Sequence, residues 1–165
     1  MNILPKLVVT DIDGVWTDGG MYYDEKGNEL KKFHTYDSAG VLWLKKLDIP
    51  LCICTGETTL AVERRATKLK VEYLHQGIQN KVEVVKDLCL ELGIELDQVA
   101  YIGDDINDLG IMREVGFSAC PKSAPVYIQE VADVVLTKNG GEGVFREFVE
   151  GILGAERLTE IISGL

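Results

Sequence analysis

Short apolar runs alternate with amphipathic stretches along this sequence. Residues 7–9, 50–54 and 98–102 are largely apolar, which is typical of strands buried on both faces of a parallel sheet. Residues 79–92 instead place apolar side chains three to four positions apart, which predicts a helix. Strands that alternate with helices indicate the α/β fold class, with a doubly wound, mostly parallel sheet and helices on both faces.

The remaining elements follow from the same patterns. Residues 19–35 contain two strand-like runs around a Lys-Gly-Asn loop, which predicts a β-hairpin inserted after the first strand. Asp37 is the predicted N-cap of the next helix, and Gly93 is the predicted C-cap of helix 79–92. Further helical segments are predicted at residues 37–47, 58–69, 123–131, 144–152 and the C-terminus, and further strands at residues 71–74, 116–119 and 133–136.

Composition narrows the functional classes. The 165 residues are interpreted as one domain, 1–165, whose 46% of hydrophobic residues supply a core. The net charge of −10 argues against nucleic acid or an anionic membrane as a partner, and no apolar run reaches the length of a membrane span. The chain start lacks a signal-peptide pattern, and the four cysteines fit neither a zinc site nor a disulfide framework. We therefore expect reduced core cysteines and a cytoplasmic location.

Two aspartates follow the first predicted strand. Asp11 and Asp13 are two positions apart, so they start on the same side of the chain, and Gly14 permits a sharp turn after them. In α/β sheets this end of a strand is where ligands bind. Carboxylates paired there repel each other unless a cation neutralises them, and oxygen ligands suit Mg²⁺. A solvated turn is the simpler interpretation of the two residues taken alone.

Further polar signals lie at other strand ends and helix starts. Thr55 ends the second buried strand, Lys81 lies near the start of a helix, and Asp104 and Asp108 follow the strand predicted at residues 98–102. Taken singly, each has an ordinary explanation as a strand-end residue, a solvent lysine or a helix cap. A doubly wound sheet brings successive strand ends to one edge, so their joint placement is far more specific than any single residue.

These signals together resemble the haloacid dehalogenase superfamily of phosphotransferases. The matching motifs, in the family's order, are DIDGVWTD at residues 11–18, Thr55, Lys81 and GDDIND at residues 103–108. The resemblance covers nearly the whole chain. It implies a Rossmann-like sheet that carries an Mg²⁺-dependent phosphatase site.

The resemblance also implies catalytic roles. Asp11 would attack phosphorus and form an aspartyl-phosphate. Asp13 would protonate the leaving oxygen and then deprotonate the attacking water. Thr55 and the backbone amides near it would hold a phosphoryl oxygen, while Lys81 would neutralise the nucleophile and the phosphate.

The family's metal site maps onto the same aspartates. Mg²⁺ would be held by Asp11, the backbone carbonyl of Asp13, and Asp104. Asp105 and Asp108 would support the ion from behind these ligands or through water.

The family usually carries a cap domain over its site. Here only the small hairpin at about residues 19–35 follows the first motif, so the chain resembles the capless subclass, whose members associate as tetramers. In those proteins the hairpins pair around a central axis and neighbouring subunits help to close each site. The resemblance therefore implies a homotetramer with no cap domain.

Within that subclass the chain is similar to phosphatases of 2-keto-3-deoxy sugar-acid phosphates. The stretches that carry this likeness are residues 11–19, 33–40, 73–77 and 140–147. Two small-molecule substrates compete, 3-deoxy-manno-octulosonate 8-phosphate of lipopolysaccharide synthesis and 2-keto-3-deoxy-nononate 9-phosphate of the sialic-acid type. The octulosonate enzymes typically carry Gly-Arg after the second-strand threonine. Gly56-Glu57 at this point favours the nononate ester.

Substrate-binding candidates follow from that likeness. Glu57, after Gly56, would accept hydrogen bonds from sugar hydroxyls. Arg65 and Lys68 share one face of a helix and would hold the sugar-acid carboxylate, although solvated surface charges are the commoner explanation. Two further substrate-binding candidates, each in one of the stretches of likeness, are Asp37 and Arg146.

Two other classes compete with a phosphatase. A response-regulator receiver domain also combines a phosphorylated aspartate, Mg²⁺ and a lysine, but its aspartate normally follows the third strand. A non-catalytic oligomerisation module of a sugar-nucleotide synthetase would be marked by loss of Asp11 or Asp13, and both are present.

Overall fold

The computed structural model describes residues 4–164 of the chain. The predicted domain, 1–165, extends past these bounds by residues 1–3 and 165, which lie outside the described residues. The strands are β1 (Leu7–Thr10), β2 (Tyr22–Tyr23), β3 (Glu29–Leu30), β4 (Leu51–Cys54), β5 (Tyr73–His75), β6 (Val99–Ile102), β7 (Phe117–Cys120) and β8 (Val134–Val135). The α-helices are α1 (Asp37–Lys46), α2 (Leu60–Leu69), α3 (Lys81–Leu92), α4 (Leu109–Met112), α5 (Val126–Gln129) and α6 (Val144–Ser163).

Six strands form one parallel sheet in the order β5-β4-β1-β6-β7-β8. Val9 at the centre of the sheet is paired with Cys52 of β4 on one side and with Tyr101 of β6 on the other. The chain adds β4 and β5 on one side of β1, then returns to add β6, β7 and β8 on the other. This reversal beside β1 is the kind of topological switch at which α/β sheets bind ligands.

Helices cover both faces of the sheet, as predicted. Side chains alternate between the faces along each strand, so Val8 lies in one hydrophobic cluster while Leu7 and Val9 lie in the other. Buried residues of α1, α2 and α6 pack in the first cluster, and those of α3, α4 and α5 in the second. The α/β, doubly wound fold predicted from the sequence is therefore confirmed, with every pair in the main sheet parallel.

Local sequence determines where the helices begin and end. The Asn80 side chain accepts a hydrogen bond from the Glu83 N–H at 3.5 Å, which makes Lys81 the first residue of α3. Gly93 ends this helix with φ of 66°, in the left-handed region that a glycine adopts without strain, so its predicted C-cap role is confirmed. Gly154 interrupts α6 with non-helical angles. This break separates the two helical segments predicted near the C-terminus.

Asp37 does not cap α1 as predicted. The N-cap of that helix is Tyr36, which makes no side-chain capping bond. The Asp37 carboxylate is buried and accepts a hydrogen bond at 3.0 Å from the backbone N–H of Arg146, in the first turn of α6. Asp37 thus satisfies a free N–H at the start of a helix distant in the sequence, which local pattern reasoning could not anticipate.

The predicted hairpin is present but short. Tyr22 pairs with Leu30 and Tyr23 with Glu29 in a separate two-stranded antiparallel sheet. Apart from this hairpin, no cap domain occurs within residues 4–164. The four cysteines are buried with free thiols, as expected. In the described part of the chain, no helix combines the length and hydropathy needed to cross a membrane.

Candidate active site

The two aspartates after β1 lie at the edge of the sheet. Asp11 is 4% exposed, and its backbone N–H donates to the Ile102 carbonyl of β6 at 3.0 Å. The Asp11 carboxylate accepts a hydrogen bond from the Ile12 N–H at 2.7 Å. Asp13 is half-buried and accepts a hydrogen bond from the Thr17 hydroxyl at 3.0 Å. Both carboxylates line one cavity, as their two-residue spacing predicts.

Lys81 joins this edge from the first turn of α3. Its side chain is fully buried, and its ammonium lies 2.7 Å from Asp11 Oδ2 and 2.6 Å from Asp108 Oδ1. Burial alone would lower the pKa of Lys81, but the two carboxylates outweigh it and hold the pKa above its ordinary value. A buried ammonium between two carboxylates therefore stays charged.

Asp108 organises the loop after β6. It is fully buried, and its Oδ2 accepts hydrogen bonds from the backbone N–H groups of Asp104 and Asp105 at 2.8 and 3.1 Å. Its Oδ1 accepts a hydrogen bond from the Tyr101 hydroxyl at 2.5 Å as well as from Lys81. Asp108 therefore positions the loop and the lysine.

Asp104 and Asp11 present carboxylate oxygens to the same point. One oxygen each of Asp11, Asp104 and Asp108 lies within 4.8 Å of the others. The Oδ1 atom of Asp104 is buried without a hydrogen-bond partner, and a methyl group at Gly14 would lie 1.8 Å from Asp104 Oδ2. An unpartnered buried oxygen beside other carboxylates fits a hard divalent cation such as Mg²⁺.

Mutual repulsion and burial perturb these acids. Burial first, then the charges of Asp11 and Asp108, raises the pKa of Asp104 to about 8. Burial, followed by the charge of Asp108, raises the pKa of Asp11 to about 6, although Lys81 opposes the shift. Without a cation these crowded carboxylates therefore tend to keep their protons, and a bound cation would favour their ionised forms.

A cavity of about 340 Å³ opens over this cluster. Thr55, Gly56 and Glu57 enter it from the end of β4, with Thr55 buried and Glu57 exposed. The residues that line the cavity are Asp11, Asp13, Gly14, Gly19, Thr55, Gly56, Glu57, Asp104, Asp105 and Asn107. The structure thus brings three of the four predicted motifs to the cavity wall, with Lys81 directly beneath.

The loop after β1 is held in place by residues from the far end of the sequence. The N–H of Gly141 donates to the Val15 carbonyl at 2.9 Å. A methyl group at Gly140 would lie 1.9 Å from the Gly14 carbonyl oxygen. Only a residue without a side chain permits this close approach.

The predicted carboxylate-binding pair lies away from the cavity of this single chain. The Arg65 guanidinium lies over the rings of Trp16 and Phe33, 5.9 and 5.7 Å from their centroids, and donates to the His34 carbonyl at 3.1 Å. Lys68 is exposed on α2. Their substrate-binding roles remain predictions.

Arg146 and Asp37 also lie outside the cavity lining. The Arg146 guanidinium lies 5.0 Å from the centroid of the Trp43 ring and pairs with Glu150 at 2.9 Å. The carboxylate of Asp37 is buried beside the N-terminus of α6, and burial raises its pKa to about 6. In one subunit, both residues belong to the contact between α1 and α6.

Sequence reasoning missed two residues. Asn107 lines the cavity, and its position within the acidic motif at residues 103–108 is the only sequence feature that points to it. Lys31, just after β3, reaches back to Asp13 with its ammonium 2.8 Å from both carboxylate oxygens. A lysine in a hairpin has no sequence signal for such a contact.

The comparisons with known proteins agree with this geometry. The sequence profile of the haloacid dehalogenase-like hydrolases matches residues 71–148. The chain is 37% identical over 151 residues to the 3-deoxy-D-manno-octulosonate 8-phosphate phosphatase of Haemophilus influenzae, covering 92% of this chain and 84% of that protein. The chain belongs to the haloacid dehalogenase-like hydrolases.

Solved structures of this family superimpose closely. A probable YrbI family phosphatase from Pseudomonas syringae has a TM-score of 0.93 at 41% identity, covering 97% of this chain and 92% of that one. The 3-deoxy-D-manno-octulosonate 8-phosphate phosphatase of Moraxella catarrhalis, solved with magnesium, phosphate and KDO, has a TM-score of 0.92 at 37% identity, covering 98% and 94%. The chain is a phosphatase, and the prediction of Mg²⁺ as its cofactor is confirmed.

Proposed function

We propose that this phosphatase hydrolyses the phosphate monoester of a 2-keto-3-deoxy sugar acid through an aspartyl-phosphate on Asp11. The observation that carries the proposal is the buried Lys81 ammonium, 2.7 Å from the Asp11 carboxylate at the floor of the cavity. It offsets the charge of a nucleophile that must approach an anionic phosphate. This contact supports the predicted role of Lys81.

The remaining residues divide the reaction between them. Asp11 forms the bond to phosphorus as the ester oxygen leaves, and Asp13 gives that oxygen a proton. Asp13 then takes a proton from the water that cleaves the aspartyl-phosphate, so Asp13 ends protonated as it began and Asp11 is freed. Thr55 and the backbone amides near it hold a phosphoryl oxygen. Asp11, the Asp13 carbonyl and Asp104 would hold Mg²⁺, which supplies further charge neutralisation when bound.

The octulosonate 8-phosphate is the better-supported substrate. Relatives that match nearly the whole chain are phosphatases of that ester, including those from Haemophilus influenzae and Yersinia pestis. The nine-carbon nononate ester, expected from Gly56-Glu57, is not confirmed by these comparisons. It stays a second candidate because Glu57 lines the cavity, where a carboxylate could contact sugar hydroxyls.

We also propose that the active form is a homotetramer in which neighbouring subunits complete each site. The hairpin exposes Tyr22, Tyr23 and Leu30, and short exposed strands with apolar side chains favour pairing with another chain. Arg65 and Lys68 lie outside the cavity of their own chain, so a sugar-acid carboxylate would meet them only across a subunit boundary.

Phosphate release from both sugar-acid esters, measured with Mg²⁺, tests the proposal. Wild type is expected to hydrolyse the eight-carbon ester with the higher kcat/KM. Glu57→Arg is expected to weaken hydrolysis of the nine-carbon ester more than that of the eight-carbon one. A preference of wild type for the nine-carbon ester would reverse the substrate order. Release from neither ester would move the substrate to another class, or the chain to a non-catalytic role.

A further inference from the structure

Lys31 makes a contact that the proposed mechanism does not use. It follows β3 in the hairpin, and its ammonium lies 2.8 Å from each carboxylate oxygen of Asp13. Glu29 pairs with the same ammonium at 3.0 Å, and the Lys31 side chain is only 1% exposed. A buried lysine between two carboxylates is a specific arrangement, since isolated buried charges are strongly unfavourable.

The neighbouring lysine shows what an ordinary surface contact looks like in the same segment. Lys32 pairs with Asp18 at 3.0 Å, but its side chain is 64% exposed. Water screens such a pair, which contributes little to structure. The hairpin is therefore attached to the loop after β1 by two lysine–aspartate pairs, and of the two lysines only Lys31 is buried.

Lys31 also restricts the orientation of Asp13. The Oδ1 atom of Asp13 accepts hydrogen bonds from Thr17 and Lys31, and its Oδ2 atom accepts one from Lys31. Rotation of the carboxylate would break these contacts. Lys31 lines the separate groove between the hairpin and α2, whereas Asp13 lines the catalytic cavity, so their ion pair joins the two.

We propose that Lys31 is a positioning residue that fixes the orientation of the Asp13 carboxylate and thereby connects the hairpin to proton transfer at the leaving oxygen. The inference rests on the proposed acid–base role of Asp13. Proton transfer depends steeply on the placement of the acid, because a displacement of about 1 Å can cost about 100-fold in rate. Removing Lys31 would leave Asp13 held only through Thr17.

Leaving-group dependence tests this role. Wild type, Lys31→Met, Lys31→Arg and Asp13→Asn are compared in kcat/KM on phenyl phosphate and p-nitrophenyl phosphate, with Mg²⁺. Phenyl phosphate needs protonation of its leaving oxygen much more than the nitrophenyl ester does. Lys31→Met is expected to lower kcat/KM on phenyl phosphate about tenfold or more, and on the nitrophenyl ester less than about threefold. Lys31→Arg should retain most of the wild-type value on both.

Lys32→Met is the matched control, since it removes the adjacent and exposed lysine. Its kcat/KM on both esters should equal that of wild type. Lys31→Gln repeats the prediction should the methionine variant not fold. An equal loss on both esters would show that Lys31 only supports the fold, and no loss on either would show that Asp13 does not depend on it; both results overturn the inference.

Asp13→Asn separates this inference from the proposed function. A large loss on phenyl phosphate in Asp13→Asn, with none in Lys31→Met, would reject the role of Lys31 alone. Unchanged phenyl phosphate hydrolysis in Asp13→Asn would reject the acid–base role itself, and the role of Lys31 with it.

Discussion

The proposed phosphate-binding end of the site and the proposed sugar-recognition surface are built in different ways. At the phosphate end Asp11, Lys81 and Asp108 are buried, and each is held by at least two partners. On the recognition side Glu57 and Lys68 are exposed. One chain therefore provides a buried centre, whereas the side chains proposed to recognise the sugar acid are exposed, where a second copy could reach them.

Removing the nucleophile should have the largest effect. Asp11→Asn keeps a side chain of the same size but cannot form the aspartyl-phosphate, so kcat/KM is expected to fall by about 10⁴-fold or more. The loss of kcat/KM is measured as phosphate release from p-nitrophenyl phosphate. Asp87→Asn, on the exposed face of α3, is the control, and its kcat/KM should equal that of wild type. Substantial activity in Asp11→Asn would assign the nucleophile elsewhere.

Lys81 should matter for stability as well as activity. Lys81→Met would leave Asp11 and Asp108 buried without their ammonium, which is expected to lower the free energy of unfolding by about 3–5 kcal/mol. Urea denaturation checks this.

Lys86→Met on the same helix removes an exposed lysine that pairs with Glu114, and it should change stability by less than about 0.5 kcal/mol. Similar losses in the two variants would contradict the contrast between a buried, fixed centre and an ordinary surface.

Metal binding should depend on pH in a defined direction. Burial and neighbouring charges raise the pKa of Asp104 to about 8 and that of Asp11 to about 6, against ordinary values near 4. Between the ordinary aspartate pKa near 4 and the raised pKa of Asp104 at about 8, the folded metal-free protein binds more protons than the unfolded chain. Its stability therefore falls as pH rises through this range. Mg²⁺ replaces those protons, so its stabilising effect should be larger at pH 8 than at pH 6, by about 1 kcal/mol or more.

Thermal unfolding with Mg²⁺ or with a chelator at the two pH values measures this difference. Asp104→Asn should remove most of the stabilisation by Mg²⁺ at both pH values. An Mg²⁺ effect that grows toward low pH would contradict the assignment of these carboxylates as the binding groups.

The smallest expected effect belongs to the recognition surface. Lys68→Ala should raise KM for the sugar-acid ester about tenfold, the loss of one hydrogen bond to a charged group, with little change in stability. Hydrolysis of p-nitrophenyl phosphate, which has no sugar carboxylate, should be unaffected.

Mixing subunits sharpens this result. If a neighbour supplies Lys68, refolded mixtures of Asp11→Asn and Lys68→Ala chains should recover low-KM activity that neither has alone, because some sites combine an intact Asp11 with an intact Lys68. Mixtures with no recovery would place Lys68 in the site of its own chain, or outside any site.

Motif spacing predicts the reaction centre well because strand ends are brought together by the fold itself. Asp11, Thr55 and Asp104 each follow a buried strand, so the doubly wound topology alone brings them to one edge. Lys81 was predicted through the family's motif set, whereas its own position indicated only a place near the start of the helix predicted at residues 79–92.

Long-range side-chain contacts were not predictable in the same way. The N-cap expected of Asp37 was wrong because its carboxylate binds a backbone N–H 109 residues away. The contact of Lys31 with Asp13 depends on how the hairpin is oriented against the loop after β1. Hydrophobic periodicity in the sequence does not indicate that orientation. Residues that pack across elements need three-dimensional information, whereas residues at strand ends do not.

The contact of Gly141 with Val15 has a consequence for biogenesis. During translation the loop that contains Val15 is made well before Gly141, whose N–H donates the hydrogen bond that holds it. A nascent chain still short of Gly141 holds its aspartates in an unsecured loop, and domains fold as units once their contacts are available. The loop that carries the proposed nucleophile therefore gains this contact only after Gly141 has been made, well after Asp11 itself.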